Sequence, residues 1–403
     1  WKYQILRRIF KVKKDIYVES LQLHAQKKGK VEITSKVCLK NKHDLALAYT
    51  PGVAEPCKRI YTDRALVYKY TSKWNTIAVV TDGSAVLGLG NIGAEAALPV
   101  MEGKSILFKE FGAVDAFPIC ISSQNVADIV KTVILISPGF GGINLEDISA
   151  PRCFIIEQQL IDALSIPVFH DDQHGTAVVV LAALFNALKV VGKKIEEVQI
   201  VINGAGAAGI AITRFLYYAG ARKILLCDTR GIICKDRKEH MNFAKKEVIR
   251  YLLPSKKGRL GDAMKKADVF IGVSGPDVVT EDMVKEMNSG SIVLAMSNPV
   301  PEIMPEKAKK AGAVVVGTGR SDMPNQINNL LAFPGIFRGV FDSRALKITQ
   351  EMKMAASKAI ADYVPERKLS EDYIIPSPLD KNVGKQVARQ VALASNTNSS
   401  SRI

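Results

Sequence analysis

An α/β fold with a doubly wound parallel sheet in its C-terminal half is predicted by three features of the sequence. Short apolar runs alternate with helical spacing from about Gly192 onward, the string Gly204-Ala205-Gly206-Ala207-Ala208-Gly209 follows the first of them, and six widely spaced cysteines define no disulfide framework. The runs are VQIVIN (198–203), KILLCD (223–228), ADVFIGV (267–273), SIVLAM (291–296) and AVVVG (313–317). They lack polar alternation, as strands of a sheet covered on both faces do. A helix-length stretch from Gly206 to Ala219, closed by Gly220, separates the first two, which is the grammar of a βαβ unit.

The preceding half is less regular. Its apolar runs at Ile77–Val80, Ser105–Phe108, Phe117–Ile121 and Ile166–Phe169 lie between Gly-rich turns and helical stretches, and read as a separate α/β domain. The expected division is residues 1–174, then 175–345 for the dinucleotide fold, then a helical segment of 346–403 broken by Pro365, Pro376 and Pro378 that packs back across both. The tail SNTNSSSRI is polar, low in complexity and expected to be disordered.

Composition sets the outer bounds. At 403 residues, 47% hydrophobic and 24% charged, the chain is a globular protein of two or three domains. No apolar run approaches the ~18 residues of a membrane span. The longest, Ala177 to Leu188, contains Asn186 and is followed by Lys189, so a soluble protein is expected. Of the net charge of +15, residues 1–73 carry +11, with 17 Lys/Arg against 6 Asp/Glu. That excess lacks interleaved aromatics or a nucleic-acid module, so specific nucleic-acid binding is not expected; a basic face or a funnel for an anionic substrate is. The cysteines (Cys38, Cys57, Cys120, Cys153, Cys227, Cys234) form no C-x-x-C pair, which argues against a zinc module and suits a reducing, cytoplasmic compartment. The first fourteen residues are basic without an acid, as in a transit peptide, yet contain no Ser and no small-residue cleavage site. The chain opens on Trp1, not Met, which leaves its true start open.

Three constellations carry chemistry. The Gly204–Gly209 string has the context a dinucleotide turn needs: a strand before, a helix after, and an acid, Asp228, 24 residues beyond Gly204 at the end of a second strand. Such an acid would accept hydrogen bonds from ribose hydroxyls and repel a 2′-phosphate, favouring NAD; Arg230, Lys235 and Arg237 follow closely and keep NADP open. Second, Glu146-Asp147 and Asp171-Asp172 offer carboxylates suited to a hard divalent cation such as Mg2+ or Mn2+. Alone, an ED pair is as well read as a helix cap or a solvated face, but the DD pair follows the run Ile166–Phe169, at a strand's C-terminal end. His170 and His174 have i, i+4 spacing, which would favour zinc only on a helix; this stretch reads as strand end and turn. Third, Tyr49 stands beside the Pro51-Gly52 turn, where a phenol can act as a general acid or simply be a boundary tyrosine. Lys104 enters an apolar stretch; partial burial near cations would lower its pKa towards a base's range, whereas a snorkelling lysine is the ordinary alternative.

Together these strings resemble the malic enzyme family in its shorter, bacterial-type form. The resemblance is carried by LALAYTPGVAEPC (45–57), VTDGSAVLGLGNIGAEAALPVMEGKSILFKEF (80–111), NLEDISAP (144–151), PVFHDDQHGTA (167–177), NGAGAAGIAI (203–212), SNPVPE (297–302) and INNLLAFPGIFRG (327–339), in the family's order. It implies an N-terminal α/β malic-enzyme domain ahead of a Rossmann-type domain, and metal-dependent oxidative decarboxylation of (S)-malate to pyruvate and CO2 with reduction of NAD or NADP. An oxaloacetate decarboxylase or a malolactic-type enzyme is the alternative on the same scaffold. By position in the motifs, Tyr49 corresponds to the proton donor and Lys104 to the general base, with Asp171 beside them. Glu146, Asp147 and Asp172 correspond to the metal ligands. Asn298 corresponds to an asparagine at the malate and cofactor, and one of Asn328 and Asn329 to a second malate contact. A homodimer is implied, and no membrane partner. One departure stands out: longer members carry a substrate-binding arginine just before the LGLG string, where this chain has Ala85.

Overall fold

The computed structural model describes residues 16–86, 88–254 and 257–397. The basic leader read above, through residue 14, lies outside them, as does the tail from residue 398. The chain divides into two units, Trp1–Val53 and Ala54–Ile403. In the first, helix α1 (Ile16–Lys27) and helix α2 (Lys42–Ala48) contain no buried residue. Asn41 caps α2 by accepting the Asp44 N–H, and Tyr49 ends it with its amide on Leu45 O.

The second unit begins with α3 (Ala54–Thr62) and holds two sheets. The first comprises β1 (Thr76–Thr81), β2 (Asp115–Cys120), β3 (Gly142–Leu145) and β4 (Val168–His170), all parallel in the order β2-β1-β3-β4. Its crossovers are α4 (Ala94–Gly112), α5 (Val126–Ile136) and α6 (Arg152–Ala163). The run Ser105–Phe108 lies inside α4: so short a stretch fits either a buried strand or one face of a long helix, and Met101, Ser105 and Phe108 share the buried face at helical spacing.

The second sheet comprises β5 (Gln199–Asn203), β6 (Lys223–Asp228), β7 (Gly231–Ile232), β8 (Val269–Gly272), β9 (Ile292–Ala295) and β10 (Val315–Thr318), in the order β10-β9-β8-β5-β6-β7. All pairs are parallel except the β6–β7 hairpin. The reason these strands are apolar throughout is visible residue by residue. Ile200, Ile202, Ile224, Leu226, Val269 and Ile271 enter the main core, while Val201, Leu225, Phe270 and Val293 fill a second core on the other face. The strand order reverses between β5 and β8, which opens the crevice where doubly wound sheets take their ligands.

Between the sheets in sequence runs α7 (Thr176–Val191), and after β5 comes α8 (Ala207–Tyr218). With the turn before it, α7 makes a 21-residue apolar helix from Asp171, long and apolar enough to cross a membrane by length and composition, which corrects the expectation that no run reaches that length. Its side chains are instead core of this fold, from Ala177 through Leu184 without a break. Towards the C-terminus, α9 (Phe333–Ser343), α10 (Gln350–Asp362) and α11 (Lys381–Thr397) pack on one another. Ser357 Oγ donates to Val178 O at 3.0 Å and Asn186 Nδ2 to Ala361 O and Ile374 O, both at 2.9 Å, tying this segment to α7. Helix α11 extends through Thr397, so the first residues of the expected disordered tail are helical.

Candidate active site

Strand pairing builds the site. Leu145 of β3 lies beside His170 of β4, so Glu146-Asp147 and Asp171-Asp172, distant in sequence, leave adjacent strand ends together. Glu146, Asp147 and Asp172 present carboxylate oxygens within 4.8 Å of one another, a fit for one hard divalent cation. Asn144 Nδ2 orients Glu146 through Oε2 at 3.0 Å. Asp147 adopts a left-handed backbone, φ 53°, held by its N–H on Asp172 Oδ2 at 2.8 Å and by Ala85 N–H on its carbonyl at 3.0 Å. Residues Asp171–Gly175 form a π-helical turn continuous with α7, where a strand end and simple turn were expected. A Cβ on Gly175 would stand 1.8 Å from Asp171 Oδ1, so only glycine lets that turn close over the carboxylate.

Lys104 reaches this cluster from α4. Its Nζ lies 2.6 Å from Asp171 Oδ2 and 2.9 Å from Glu146 Oε1, with the Phe333 ring centroid at 4.5 Å. Asn329 Nδ2 donates to the same Asp171 Oδ2. The electrostatics reverse the expectation for Lys104. Burial lowers its pKa, but Asp171 and Glu146 more than offset that and hold it above the ordinary value, because its neighbours are carboxylates and not cations. Burial above all pushes Glu146 and Asp171 up to about 7 and Asp172 to about 6, against the pull of Lys104, and the neighbouring acids of the same cluster add to the rise.

Carboxyls raised in this way stabilise the fold while protonated, below a pH of about 4, and that contribution is lost as pH rises through about 6 to 7. A divalent cation competes with those protons. The gain in melting temperature from Mn2+ over EDTA is therefore expected to be larger at about pH 8 than at about pH 5. Thermal melts under the four conditions check it; no gain at the higher pH removes these residues from the ligand role.

Sequence reasoning missed Glu157. This buried carboxylate on α6 accepts His170 N at 3.1 Å, Gln173 Nε2 at 3.0 Å and contacts His174 Nε2 at 2.9 Å, clamping the turn that presents Asp171 and Asp172. Burial would raise its pKa, but His174 above all holds it down at about 2. Lys353 Nζ closes the network on His174 Nδ1 at 3.2 Å. The histidine pair considered for zinc is thus placed otherwise: His174 serves Glu157, and the buried His170, held near a pKa of about 4 by burial, lies 3.6 Å from Asp172. The one signal in the sequence is a Glu on the apolar face of Cys153, Phe154, Ile156 and Leu160. Glu157→Gln, which turns one of its two accepting oxygens into a donor that faces donors, is expected to weaken Mn2+ affinity about 10- to 100-fold, the range for groups that orient ligands. Calorimetric Mn2+ titration measures this, and an unchanged affinity reduces Glu157 to a packing role.

The other candidates distribute as follows. Gly204 N–H donates to Cys227 O at 2.9 Å, Gly204 has φ 114°, and a Cβ on Gly209 would stand 1.7 Å from Gly204 O, so the turn requires both glycines. Gly206 has open space around it, and Ala205, Ala207 and Ala208 complete the entry into α8. Asp228 differs from the expected bare acid: its Oδ2 is held by Arg237 at 2.7 Å and Lys245 at 2.6 Å. Asn298 is exposed in the loop after β9, beside Gly88 and Gly319. Asn328 spends its side-chain oxygen on the Leu330 N–H, capping a short 3-10 turn, whereas Asn329 joins Asp171. Tyr49 belongs to the first unit and is 67% exposed.

The family profiles described as malic enzyme, N-terminal domain and malic enzyme, NAD-binding domain match residues 28–161 and 173–396. The chain is 58% identical over 377 residues to the bifunctional malic/malolactic enzyme of Bacillus subtilis, covering 93% of this chain and 92% of that one. It is 54% identical to an NAD-dependent malic enzyme of Geobacillus stearothermophilus, over 91% of this chain and 76% of that one. The crystal structure of an NAD-dependent malic enzyme from Thermotoga maritima superposes with a TM-score of 0.89 at 48% identity, covering 93% of this chain and 98% of that one.

Proposed function

The chain belongs to the malic enzyme family, and we propose that it converts (S)-malate and NAD(P) to pyruvate, CO2 and reduced cofactor with the help of Mg2+ or Mn2+. The observation that carries this reading is Lys104, held between Asp171 and Glu146 at the edge of the Glu146–Asp147–Asp172 cluster. In the proposed roles Glu146, Asp147 and Asp172 hold the cation and residues 204–209 with Asp228 hold the dinucleotide. Bound, the cation supplies Lewis-acid chemistry that acidifies the malate hydroxyl and favours charge on its oxygen after CO2 leaves, while the dinucleotide takes the hydride. Lys104 passes its own proton to Asp171, whose carboxyl lies 2.6 Å away and is raised to about 7, and its freed Nζ then accepts the C2 hydroxyl proton; Asn329 helps to position Asp171 and the substrate. Asn298 is a second substrate contact near the cofactor. The Tyr49 hydroxyl delivers a proton to C3.

The domain division we favour keeps catalytic groups in 1–174 and the dinucleotide fold in 175–345, with 346–403 packed across them through α10 and α11. Apolar side chains left bare on the first unit, such as Leu21, Ile33 and Leu47, support a homodimer, and the free cysteines support a cytoplasmic setting.

The deciding experiment is the initial rate of cofactor reduction from (S)-malate with Mn2+, NAD and NADP side by side, with pyruvate and lactate assayed at the end. Pyruvate equal to reduced cofactor supports the proposal. Lactate without net reduction favours the malolactic reading suggested by the B. subtilis relative's name, and no product from either cofactor overturns both.

A further inference from the structure

Three strand ends at the dinucleotide crevice are tied together by one buried acid that the proposed reaction does not use. Glu302 is fully buried beyond β9, and each of its oxygens serves a different loop. In the loop after β8, Oε1 accepts the Ser274 N–H at 2.8 Å and the Ser274 hydroxyl at 3.1 Å. In the loop after β9, Oε2 accepts the Ser297 N–H at 3.1 Å. The Ser274 hydroxyl in turn accepts Asn203 Nδ2 at 2.8 Å, so the chain of hydrogen bonds reaches the end of β5, next to Gly204. The donors on these loops are backbone N–H groups and a hydroxyl, none of them a cation. Burial raises the Glu302 pKa, and those donors pull it back. A buried acid held without a counter-ion is costly, which points to a use beyond packing. Two close approaches show what it holds. A Cβ on Gly272 would stand 2.4 Å from Glu302 Cδ, so β8 ends in glycine where the carboxyl enters between the loops. A Cβ on Gly204 would stand 2.3 Å from Val273 O, so the loop after β8 lies directly on the glycine turn.

We propose that Glu302 is a positioning residue for dinucleotide binding. Through Ser274 it fixes the loop that backs the glycine turn, through Ser297 it fixes the loop that carries Asn298, and together these set the width of the crevice; the inference rests on the reading of residues 204–209 as the dinucleotide turn. Strands β8 and β9 are parallel neighbours with Gly272 opposite Ala295, so their loops leave the sheet side by side at its carboxyl edge, where such folds take their ligands. An ionised carboxyl suits this place because it offers acceptors on both sides and no donor. An amide at position 302, whichever way it turns, sets its NH2 against the N–H of Ser274 or of Ser297 and frees one loop. A freed loop has to be ordered again when the dinucleotide binds, which weakens binding.

The test is fluorescence titration of the full chain with NADH and with NADPH, beside calorimetric titration with Mn2+. For the dinucleotide that the wild type binds more tightly, Glu302→Gln is expected to weaken binding about 10- to 100-fold, the scale of a hydrogen bond to a charged group. Mn2+ affinity is expected to stay as it is, because Glu146, Asp147 and Asp172 are held at the ends of β3 and β4. Ser274→Ala, at an exposed position, keeps the backbone bond to Glu302 and removes the hydroxyl link to Asn203, and is expected to weaken dinucleotide binding less. Ser274→Thr, which keeps a hydroxyl, is expected to bind as the wild type does, and Glu302→Gln is expected to cost less in the Ser274→Ala background than alone. Packing by itself would lower the melting temperature of Glu302→Gln and leave the dinucleotide affinity of the folded chain unchanged; that result overturns the inference, as does an equal loss of Mn2+ affinity. In a Glu302→Gln chain that does not fold, unchanged affinity in Ser274→Ala overturns it. A wild type that binds neither dinucleotide sinks the reading of the glycine turn and the inference with it. Because no turnover is read, loss of the malate reaction with this binding pattern intact would sink the reaction assignment alone.

Discussion

Lys104→Ala is expected to lower turnover of malate by about 10²–10⁴, the usual range for a proton-transfer group. The variant removes the amine that lies 2.6 Å from Asp171 and 2.9 Å from Glu146. It also removes a cation that touches both of these buried acids, whose pKa values then rise further as they take up protons. Two readouts separate chemistry from this electrostatic loss. Adding methylamine should restore part of the rate if a proton acceptor is what is missing, and saturating Mn2+ should not. Wild-type turnover in a folded Lys104→Ala chain, or rescue by Mn2+ with none by amine, would sink the base assignment.

Tyr49→Phe is expected to cost a similar factor, about 10²–10⁴, but in a different step. Loss of one phenolic oxygen leaves the local backbone intact: Tyr49 N–H on Leu45 O at 2.9 Å, Gly52 N–H on Ala46 O at 2.8 Å and Val53 N–H on Tyr49 O at 2.7 Å. The deficit should therefore appear where C3 of enolpyruvate gains its proton. Tautomerisation of supplied enolpyruvate should fall with malate turnover, while reduction of supplied oxaloacetate by NAD(P)H should fall far less. Equal losses in both partial reactions would assign Tyr49 to binding in place of proton donation, and no loss in either would remove it from the site.

The second sheet was legible because each of its strands is buried on both faces, so Val201 and Ile202 both had to be apolar although they serve different cores. The glycine string was legible because close approach of backbone to backbone excludes a Cβ at Gly204 and Gly209. Where one pattern has two solutions the reading failed. Ser105–Phe108 lies within a helix, and DDQHG, read as a strand end and turn, begins one. The Lys104 pKa shift was assigned the wrong sign because local sequence shows that a lysine enters an apolar stretch, but not which charges await it.

Sequence alone thus determined the inventory: which acids, which lysine, which glycine turn, and the family order in which they occur. Tertiary structure decided the pairings. It brought Glu146 and Asp147 to Asp171 and Asp172 through the β3–β4 register, recruited Glu157 to hold their turn, chose Asn329 over Asn328 as the partner of Asp171, and surrounded Asp228 with Arg237 and Lys245. The physical reason is range. Periodicity and turn chemistry act over a few residues and are written locally, whereas the charge and hydrogen bonding of a buried group depend on atoms that only the folded chain brings within about 4 Å.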